Sequence, residues 1–138
     1  MNPEDVPLVE IMDARGRLVC GQYPGELPFQ PRRFFVISDV PGGEHRGGHG
    51  HRVCEQVLVL LRGKCTVQLW DQQRQMRSVT LTSGSPGLRV PPGTFSKQAD
   101  FSADAVLLVL ASDLFDEADY ISEEEFFSPE AKQRTDRM

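Results

Sequence analysis

The chain has 138 residues, of which 39% are hydrophobic and 25% are charged, and this composition is typical of one folded domain rather than a disordered chain. The net charge is −5 and the arginines form only small local groups. This excludes the extended basic surface that nucleic-acid binding through phosphates requires. No apolar stretch approaches the about 20 residues of a membrane-spanning helix.

The amino-terminal segment contains Glu4 and Asp5 and no long apolar run, so it lacks the pattern of a secretory signal. The three cysteines, Cys20, Cys54 and Cys65, include no Cys-x-x-Cys pair and are predicted to be reduced thiols. Together these features predict a cytoplasmic protein that binds neither nucleic acid nor a membrane.

Short runs rich in Val, Leu, Phe and Thr, separated by 12 glycines and 10 prolines, indicate an all-β domain. In chain order, the predicted strands are Leu8–Met12, Arg17–Cys20, Arg33–Ser38, His51–Leu61, Lys64–Trp70, Met76–Thr82, Leu88–Val90, Thr94–Gln98 and Ala105–Ala111. Ser122 and Glu125 then form a capping-box pattern, which predicts one short helix over Ser122–Ser128. The polar residues 129–138 are expected to be a flexible tail of a single domain that spans residues 1–138.

Two of the predicted strands, over Gln56–Leu61 and Val106–Leu110, are apolar on both faces. Strands of this kind are covered on both sides in folded proteins. A second sheet would cover one side, and a second copy of the chain could cover the other. The pattern therefore favours a homodimer.

The segment from Gly43 to Gly63 contains the residues with the clearest chemistry. In an extended strand the side chains of His49, His51 and Glu55 share one face. Two imidazoles and a carboxylate in one cavity would suit either acid–base chemistry or a metal site with open positions. The spacing of these glycines, histidines and glutamate resembles the first motif of the cupins.

A metal-binding cupin usually adds another histidine after a second motif that contains a Pro-x-Gly turn. The turn is present here at residues 91–93, but the residue three positions after Gly93 is Ser96. The chain has three histidines, and the third, His45, lies just before the pair. We therefore favour a metal-free acid–base pair, with an iron or zinc site as the alternative.

Three stretches resemble the nucleotide-sugar 3,4-ketoisomerases, also called WxcM-like cupins. The first is Arg-Gly-Gly-His-Gly-His-Arg at residues 46–52, followed by Glu-Gln at 55–56; the family pattern there is Arg-Gly-Phe-His-Ala-His-Lys and then Leu-Glu-Gln. The second is Gly87–Gly93, and the third and most specific is Leu108–Ile121. With Asp13–Gly16, the similarity covers about residues 8 to 127.

The resemblance implies a cupin jelly-roll β-barrel, a homodimer, and a dTDP-4-keto-6-deoxyhexose substrate for deoxysugars of bacterial surface polysaccharides and antibiotics. It also implies isomerisation without a metal or a nicotinamide cofactor, and it identifies His49 and His51 as the catalytic pair. The chemistry suits imidazoles. Moving a ketone from C4 to C3 requires a proton to leave C3 and another to reach C4 through an enediol, and a base with a pKa of about 6.5 can do both near neutral pH.

An enediolate needs hydrogen-bond donors, and Arg46 is the nearest candidate. The diphosphate needs cations, for which Arg15, Arg33 and Arg89 are candidates, although each could also be a solvated surface residue. Glu55 is expected either to line the site or to orient one histidine. The remaining candidates for the substrate pocket are Phe35, Phe95 and Ser96.

The chain departs from the family pattern around this predicted site. The family usually has a tyrosine where this chain has Phe34–Val36, and a Trp-His-Glu run where this chain has Phe95–Lys97. Gly48 stands where Phe is usual, and Arg89 stands where Tyr is usual. Tyr120, within the third matching stretch, is expected to have a structural role. These departures leave two alternatives, a non-catalytic or altered-specificity sugar-nucleotide-binding cupin and, less favoured, a metal-dependent cupin enzyme.

Overall fold

Twelve short β-strands and one helix form the fold over residues 4–128, the part of the chain that this computed structural model describes. The strands are β1 Asp5–Val6, β2 Val9–Asp13, β3 Gly16–Cys20, β4 Arg33–Ser38, β5 Arg46–His51, β6 Gln56–Arg62, β7 Lys64–Trp70, β8 Met76–Thr82, β9 Gly87–Val90, β10 Phe95–Ala99, β11 Val106–Ala111 and β12 Tyr120–Ser122. A 3-10 turn, Glu117–Asp119, precedes β12, and the helix α1, Glu123–Phe126, follows it. The predicted tail over 129–138 lies outside the described residues.

The strands form two five-stranded antiparallel sheets and one separate hairpin. The order of the first sheet is β1-β9-β6-β11-β4, that of the second is β12-β5-β10-β7-β8, and β2 pairs only with β3. Alternate side chains of the two large sheets point toward each other and form one core, to which Leu58 and Leu107 contribute from the first sheet and Val67 from the second. The predicted all-β jelly-roll fold is confirmed.

Most predicted strands occur within about one residue of their expected bounds, and three of them, β4, β7 and β8, have the expected bounds. The capping box is also confirmed, since the Ser122 hydroxyl accepts a hydrogen bond from the Glu125 N–H at 3.1 Å. The helix is shorter than predicted and ends at Phe126. The strands β1, β12 and most of β5 are elements that the sequence pattern did not predict.

The predicted continuous strand His51–Leu61 is wrong, because the chain bends between β5 and β6. The backbone N–H of Arg52 donates to the Asp119 carbonyl at 2.8 Å, and the N–H groups of Val53 and Cys54 donate to the Asp119 carboxylate at 2.7 and 3.2 Å. These bonds replace the ladder hydrogen bonds that a continuous strand would make. As a result, Glu55 does not share a face with His51.

No helix within residues 4–128 has the length and apolar character needed to cross a lipid bilayer. The thiols of Cys20, Cys54 and Cys65 are all free, as predicted. Cys54 and Cys65 are buried, and burial raises the pKa of the Cys65 thiol to about 11. These two thiols therefore pack as small core side chains.

Candidate active site

Strand β5 carries both histidines into the space between the two large sheets. Its neighbours place Ser96 opposite His49 on one side and Tyr120 opposite His51 on the other. A Cβ on the intervening Gly50 would lie 3.0 Å from the Thr94 carbonyl oxygen, so this close approach of two backbones favours glycine. The His-Gly-His spacing thus puts two imidazoles side by side at one end of the core.

Three aromatic rings meet at this point. The ring centroids of His49 and His51 are 5.1 Å apart, edge to face. Tyr120 stacks on His49 with a distance of 4.5 Å between ring centroids and an interplanar angle of 14°. The ring centroids of Tyr120 and His51 are 4.7 Å apart, in an edge-to-face arrangement. The purely structural role expected of Tyr120 does not describe this position, because its ring contacts both candidate catalytic side chains.

Two side chains fix the ring of His51. Its Nδ1 lies 3.1 Å from Oδ2 of Asp119, and its Nε2 lies 3.4 Å from Nε2 of Gln56. A carboxylate can only accept and an amide nitrogen can only donate, so these partners favour the tautomer with the proton on Nδ1 and an unprotonated Nε2 that accepts from the Gln56 amide. Gln56 lines a cavity, whereas His51 is buried and is separated from that cavity by the side chain of Gln56.

The surroundings lower the pKa of both imidazoles from their ordinary value. For His49 the main cause is burial, with a smaller contribution from the charge of His51 and an opposing hydrogen bond to Gly47. For His51 burial again dominates; the hydrogen bond and charge of Asp119 oppose it, and the charge of Arg33 adds to it. Both rings are therefore neutral near pH 7 and are available as bases.

Asp119 is ionised over the same range. Burial raises the pKa of its carboxyl group, but hydrogen bonds from the Val53 N–H, His51 and the Cys54 N–H, together with the charge of His51, outweigh that effect and lower the pKa overall. A carboxylate beside Nδ1 stabilises the imidazolium form of His51 whenever that ring takes up a proton. No local sequence pattern identifies Asp119 or Gln56 as site residues, although both lie within stretches that match the family pattern.

A cavity of about 410 Å³ opens beside the histidines, a size suited to a small ligand. Its wall is formed by β4, β5, β6, β10 and β11 and by the segment around β12. The side chains and backbone on this wall belong to Arg33, Phe34, Phe35, Val36, Ile37, Arg46, Gly47, His49, Gln56, Ser96, Gln98, Val109, Phe115 and Tyr120. Five of the residues singled out in the sequence thus lie on one wall: Arg33, Phe35, Arg46, His49 and Ser96.

Arg33 interacts electrostatically with the histidine pair, because its positive charge lowers the pKa of His51. Its guanidinium carbon lies 5.8 Å from the Phe35 ring centroid and 5.6 Å from that of Phe115, which holds the planar group between two aromatic faces. Its Nε is buried and has no hydrogen-bond partner among residues 4–128. Because Arg33 also lines the cavity, its guanidinium charge is suited to an anion bound there.

Two other candidates lie on the outer face of the first sheet. The side chains of Leu88 and Val90 point into the core, so the intervening Arg89 points outward. Its Nε donates to Oε2 of Glu55 at 2.9 Å. Nη1 of the same guanidinium lies 3.5 Å from Oε2 of Glu4. The structure does not bring Arg89 or Glu55 to the cavity wall, and Glu55 orients an arginine rather than a histidine.

Phe95 and Arg15 also lie away from the cavity wall. Phe95 is completely buried and packs against Trp70, with a ring centroid distance of 5.5 Å. Arg15 lies at the exposed tip of the β2–β3 hairpin, where it pairs with Asp13 at 2.8 Å. Neither side chain contributes to the site within its own chain.

The ligand set expected for a metal, His49, His51 and Glu55, is not assembled. Among residues 4–128, one group of three ligand-type side chains has its donor atoms within 4.8 Å of one another, and it consists of His51, Cys54 and Asp119. The Asp119 carboxylate in that group already accepts hydrogen bonds from two backbone N–H groups and from His51. These contacts support an orienting role for the carboxylate.

Comparisons with known proteins agree with this geometry. A model of the family described as FdtA, WxcM-like, C-terminal, matches residues 1–132 of the chain. The curated TDP-4-oxo-6-deoxy-alpha-D-glucose-3,4-oxoisomerase of Aneurinibacillus thermoaerophilus is 43% identical over 118 residues, which are 86% of this chain and 84% of that protein.

Two solved structures have closely similar folds. One is a variant of the 3,4-ketoisomerase QdtA of Thermoanaerobacterium thermosaccharolyticum in complex with TDP-4-keto-6-deoxyglucose, with a TM-score of 0.86 and 32% identity over 97% of this chain and 98% of that one. The other is a 3,4-ketoisomerase of Helicobacter canadensis, with a TM-score of 0.82 and 30% identity over 95% of each chain.

Proposed function

The chain belongs to the FdtA family of WxcM-like, C-terminal domains, and from this membership we propose that it is a dTDP-4-keto-6-deoxyhexose 3,4-ketoisomerase that works through His49 and His51. The reaction is an intramolecular oxidoreduction, in which C3 of the hexose is oxidised to a ketone and C4 is reduced to an alcohol. Its place is in the biosynthesis of deoxysugars. Of the relatives named above, the Aneurinibacillus thermoaerophilus enzyme is named for a sugar nucleotide of this class, and the QdtA variant is solved with one.

The observation that carries the proposal is the hydrogen bond between His51 and Asp119, which orients His51 directly behind two residues of the cavity wall, His49 and Gln56. The carboxylate orients the imidazole and leaves Nε2 on the side of the cavity-lining Gln56. A neutral, oriented imidazole is the group that removal of a proton next to a ketone requires. We assign His51 to the protons on carbon, so that it takes the proton from C3 and returns it to C4.

His49 lies on the cavity wall itself, 5.1 Å from His51 between ring centroids. Isomerisation also moves a proton between oxygens, because the hydroxyl at C3 becomes a ketone while the ketone at C4 becomes a hydroxyl. We assign His49 to this second transfer, as the base that accepts the proton from O3. The lowered pKa of His49 supports the role, since the ring is neutral at the pH of the reaction.

The enediolate intermediate is an anion, and Arg33 is suited to stabilise it. The Arg33 guanidinium is held between two aromatic rings, and its Nε is buried without a partner among the residues that the structure describes. Arg46 lies on the same wall but is exposed, which suits contact with the diphosphate outside the cavity. This assignment exchanges the roles that the sequence suggested for the two arginines.

We also propose that the enzyme is a homodimer. On the β2–β3 hairpin, the pairs Val9–Cys20 and Ile11–Leu18 present exposed apolar side chains on one face. On the first sheet, Phe34 and Val36 are exposed on the outer side of the edge strand β4, and Phe34 is 68% accessible. A second copy of the chain that covers these two surfaces would remove apolar area from water.

A cytoplasmic location is consistent with the state of the cysteines. The three cysteines are free thiols, as is usual in a reducing compartment. We therefore place the reaction in the cytoplasm.

The direct test is to incubate the purified protein with dTDP-4-keto-6-deoxyglucose and to follow the 3-keto product by proton NMR. In D2O, deuterium appears at C4 of the product only in those turnovers in which His51 exchanges its proton with solvent before returning it to the sugar. His49→Gln and His51→Gln should each lower kcat by about 10²-fold or more. The matched control is His45→Gln, because His45 is exposed and lies outside the cavity wall.

Two results would contradict the proposal. If the folded wild-type protein binds TDP but does not convert the sugar nucleotide, the chain is a binding protein rather than an isomerase. If His49→Gln or His51→Gln keeps the wild-type kcat, the role assigned to that histidine is wrong. The His45→Gln control separates these outcomes from a general effect of replacing a histidine.

A further inference from the structure

We propose that Tyr120 is a third catalytic residue, whose hydroxyl gives a proton to the sugar oxygen at C4 as the enediol forms. This inference rests on the proposed function, because it assigns a group to one proton transfer of the isomerisation. The sequence pattern alone suggested only a structural role for Tyr120.

The position of Tyr120 is set by β12, a three-residue strand that pairs with β5. Tyr120 lies opposite His51 in that pairing and stacks on His49 at 4.5 Å. Phe115 packs edge to face on the same ring at 5.8 Å. The phenol is therefore held against both histidines by contacts on its ring.

The hydroxyl of Tyr120 is free to act. Tyr120 lines the cavity, and within residues 4–128 its hydroxyl has no hydrogen-bond partner and is not buried. The other hydroxyl on the wall, that of Ser96, accepts a hydrogen bond from the Gln98 amide at 3.4 Å. A phenol is also a much stronger acid than an alkyl hydroxyl, so Tyr120 is the better proton donor.

The reaction needs such a donor. When a base removes the proton from C3, electron density moves onto the oxygen at C4, and proton donation to that oxygen lowers the barrier. His51 is occupied with the carbon proton and His49 is neutral, with a lowered pKa. A neutral imidazole is a poor acid, so a separate hydroxyl is needed at this oxygen.

The transfers balance without an external oxidant or reductant. First, the C3–H proton goes to His51, a C3=C4 double bond forms, and O4 takes the Tyr120 proton. Next, His51 returns a proton to C4, the O3–H proton goes to His49, and a C3=O3 double bond forms. Finally, the His49 imidazolium returns a proton through water to the phenolate of Tyr120, whose ring stacks on it, and this restores the enzyme.

Tyr120→Phe removes the hydroxyl but keeps an aromatic ring on His49. We expect kcat for dTDP-4-keto-6-deoxyglucose to fall by about 10²-fold or more. The dissociation constant for TDP should stay within about twofold of the wild-type value, and the thermal midpoint should stay within a few degrees of it. Tyr23→Phe is the matched control, since the chain has two tyrosines and Tyr23 is half exposed and distant from the cavity wall. A wild-type kcat for Tyr120→Phe would overturn the inference.

A second measurement applies if Tyr120→Phe fails to fold. In a Tyr23→Phe background, uniform labelling with 3-fluorotyrosine places fluorine only on Tyr120 and makes its phenol a stronger acid. Because the fluorinated phenol gives up its proton more readily, kcat should differ from that of unlabelled Tyr23→Phe, whereas a purely structural ring would leave kcat unchanged. An unchanged kcat would overturn the inference.

These outcomes are distinct from failure of the proposed function. If wild-type protein does not isomerise the sugar nucleotide, the proposed function fails and Tyr120 has no reaction to serve. If wild type turns over and Tyr120→Phe turns over equally well, the isomerase stands and the role of Tyr120 is wrong.

Discussion

The Nδ1 atom of His51 lies 3.1 Å from Oδ2 of Asp119, and the Asp119 carboxylate also accepts the backbone N–H groups of Val53 and Cys54. One side chain therefore turns the backbone after β5 and orients the imidazole at the end of that strand. Since the two residues are 68 positions apart in sequence, the site forms only when β12 pairs with β5. Folding of the carboxyl-terminal segment and assembly of the catalytic base are thus coupled.

Asp119→Asn should lower kcat by about 10²–10⁴-fold, because an amide cannot stabilise the imidazolium and can present its NH2 group to Nδ1, which reverses the tautomer. The affinity for TDP should change little. The measurement is steady-state turnover together with TDP titration, and Asp100→Asn, at an exposed position with φ of 53° where asparagine is tolerated, is the control. A wild-type kcat for Asp119→Asn would show that His51 does not depend on the carboxylate.

The pH dependence follows from the lowered pKa of both histidines. Burial keeps His49 and His51 neutral below the ordinary value of 6.5, so the acid limb of kcat/KM should have its midpoint below pH 6.5. The unfolded chain takes up protons at about pH 6.5 while the folded chain does not. The free energy of unfolding should therefore fall as pH decreases from about 6.5 toward the folded pKa values.

Urea unfolding between pH 5 and pH 8 checks this prediction. In His51→Gln the decline in stability toward acid pH should be smaller, because one of the two responsible groups is gone. The lowered pKa of Asp119 affects stability in a different pH range, because the stability that this carboxylate contributes is lost only as pH falls below about 3.8. Equal slopes in His51→Gln and in the wild-type protein would contradict the assignment.

Much of the fold follows from local patterns, because short alternating strands such as β7 need only residue-to-residue alternation to be recognised. The two histidines were found for the same reason, since their spacing is local. Asp119 and Tyr120 were not assigned to the site, because their roles depend on a pairing between β12 and β5 that no local pattern encodes. Glu55 was placed on the wrong face since a bend held by a distant carboxylate interrupts the alternation after His51.

Arg33→Met should lower kcat/KM by about 10- to 100-fold, the range expected when a charged hydrogen bond to an anion is lost. Arg33→Lys should restore only part of the activity. Lysine keeps the charge, but it lacks the planar guanidinium that Arg33 places against the rings of Phe35 and Phe115. The control is Arg62→Met, since the Arg62 side chain is 74% exposed and pairs with Asp104 away from the cavity. If Arg33→Met is as active as the control, the anion binds elsewhere.

Gly63 closes the tight turn between β6 and β7 with φ of +82°. A Cβ there would lie 2.4 Å from Ser102 Oγ and 2.7 Å from Ala105 Cα. Gly63→Ala should therefore reduce the free energy of unfolding by at least about 2 kcal/mol, from backbone strain and overpacking combined. Gly84→Ala is the control, since nothing lies within 4 Å of an added Cβ and φ there is not positive. Urea denaturation compares the two, and equal midpoints would contradict the prediction.

The β2–β3 hairpin supplies the test of the proposed dimer. It pairs with neither large sheet, and a two-stranded hairpin alone is at best marginally stable in water, so the exposed face that carries Ile11 and Leu18 needs a partner. Ile11→Glu should convert the protein to a monomer, as judged by light scattering coupled to gel filtration at micromolar concentration. Met12→Glu, on the opposite face of the same strand, should leave the dimer intact. A wild-type monomer, or an unchanged dimer in Ile11→Glu, would exclude this face as the interface, because a buried carboxylate without a partner opposes association strongly.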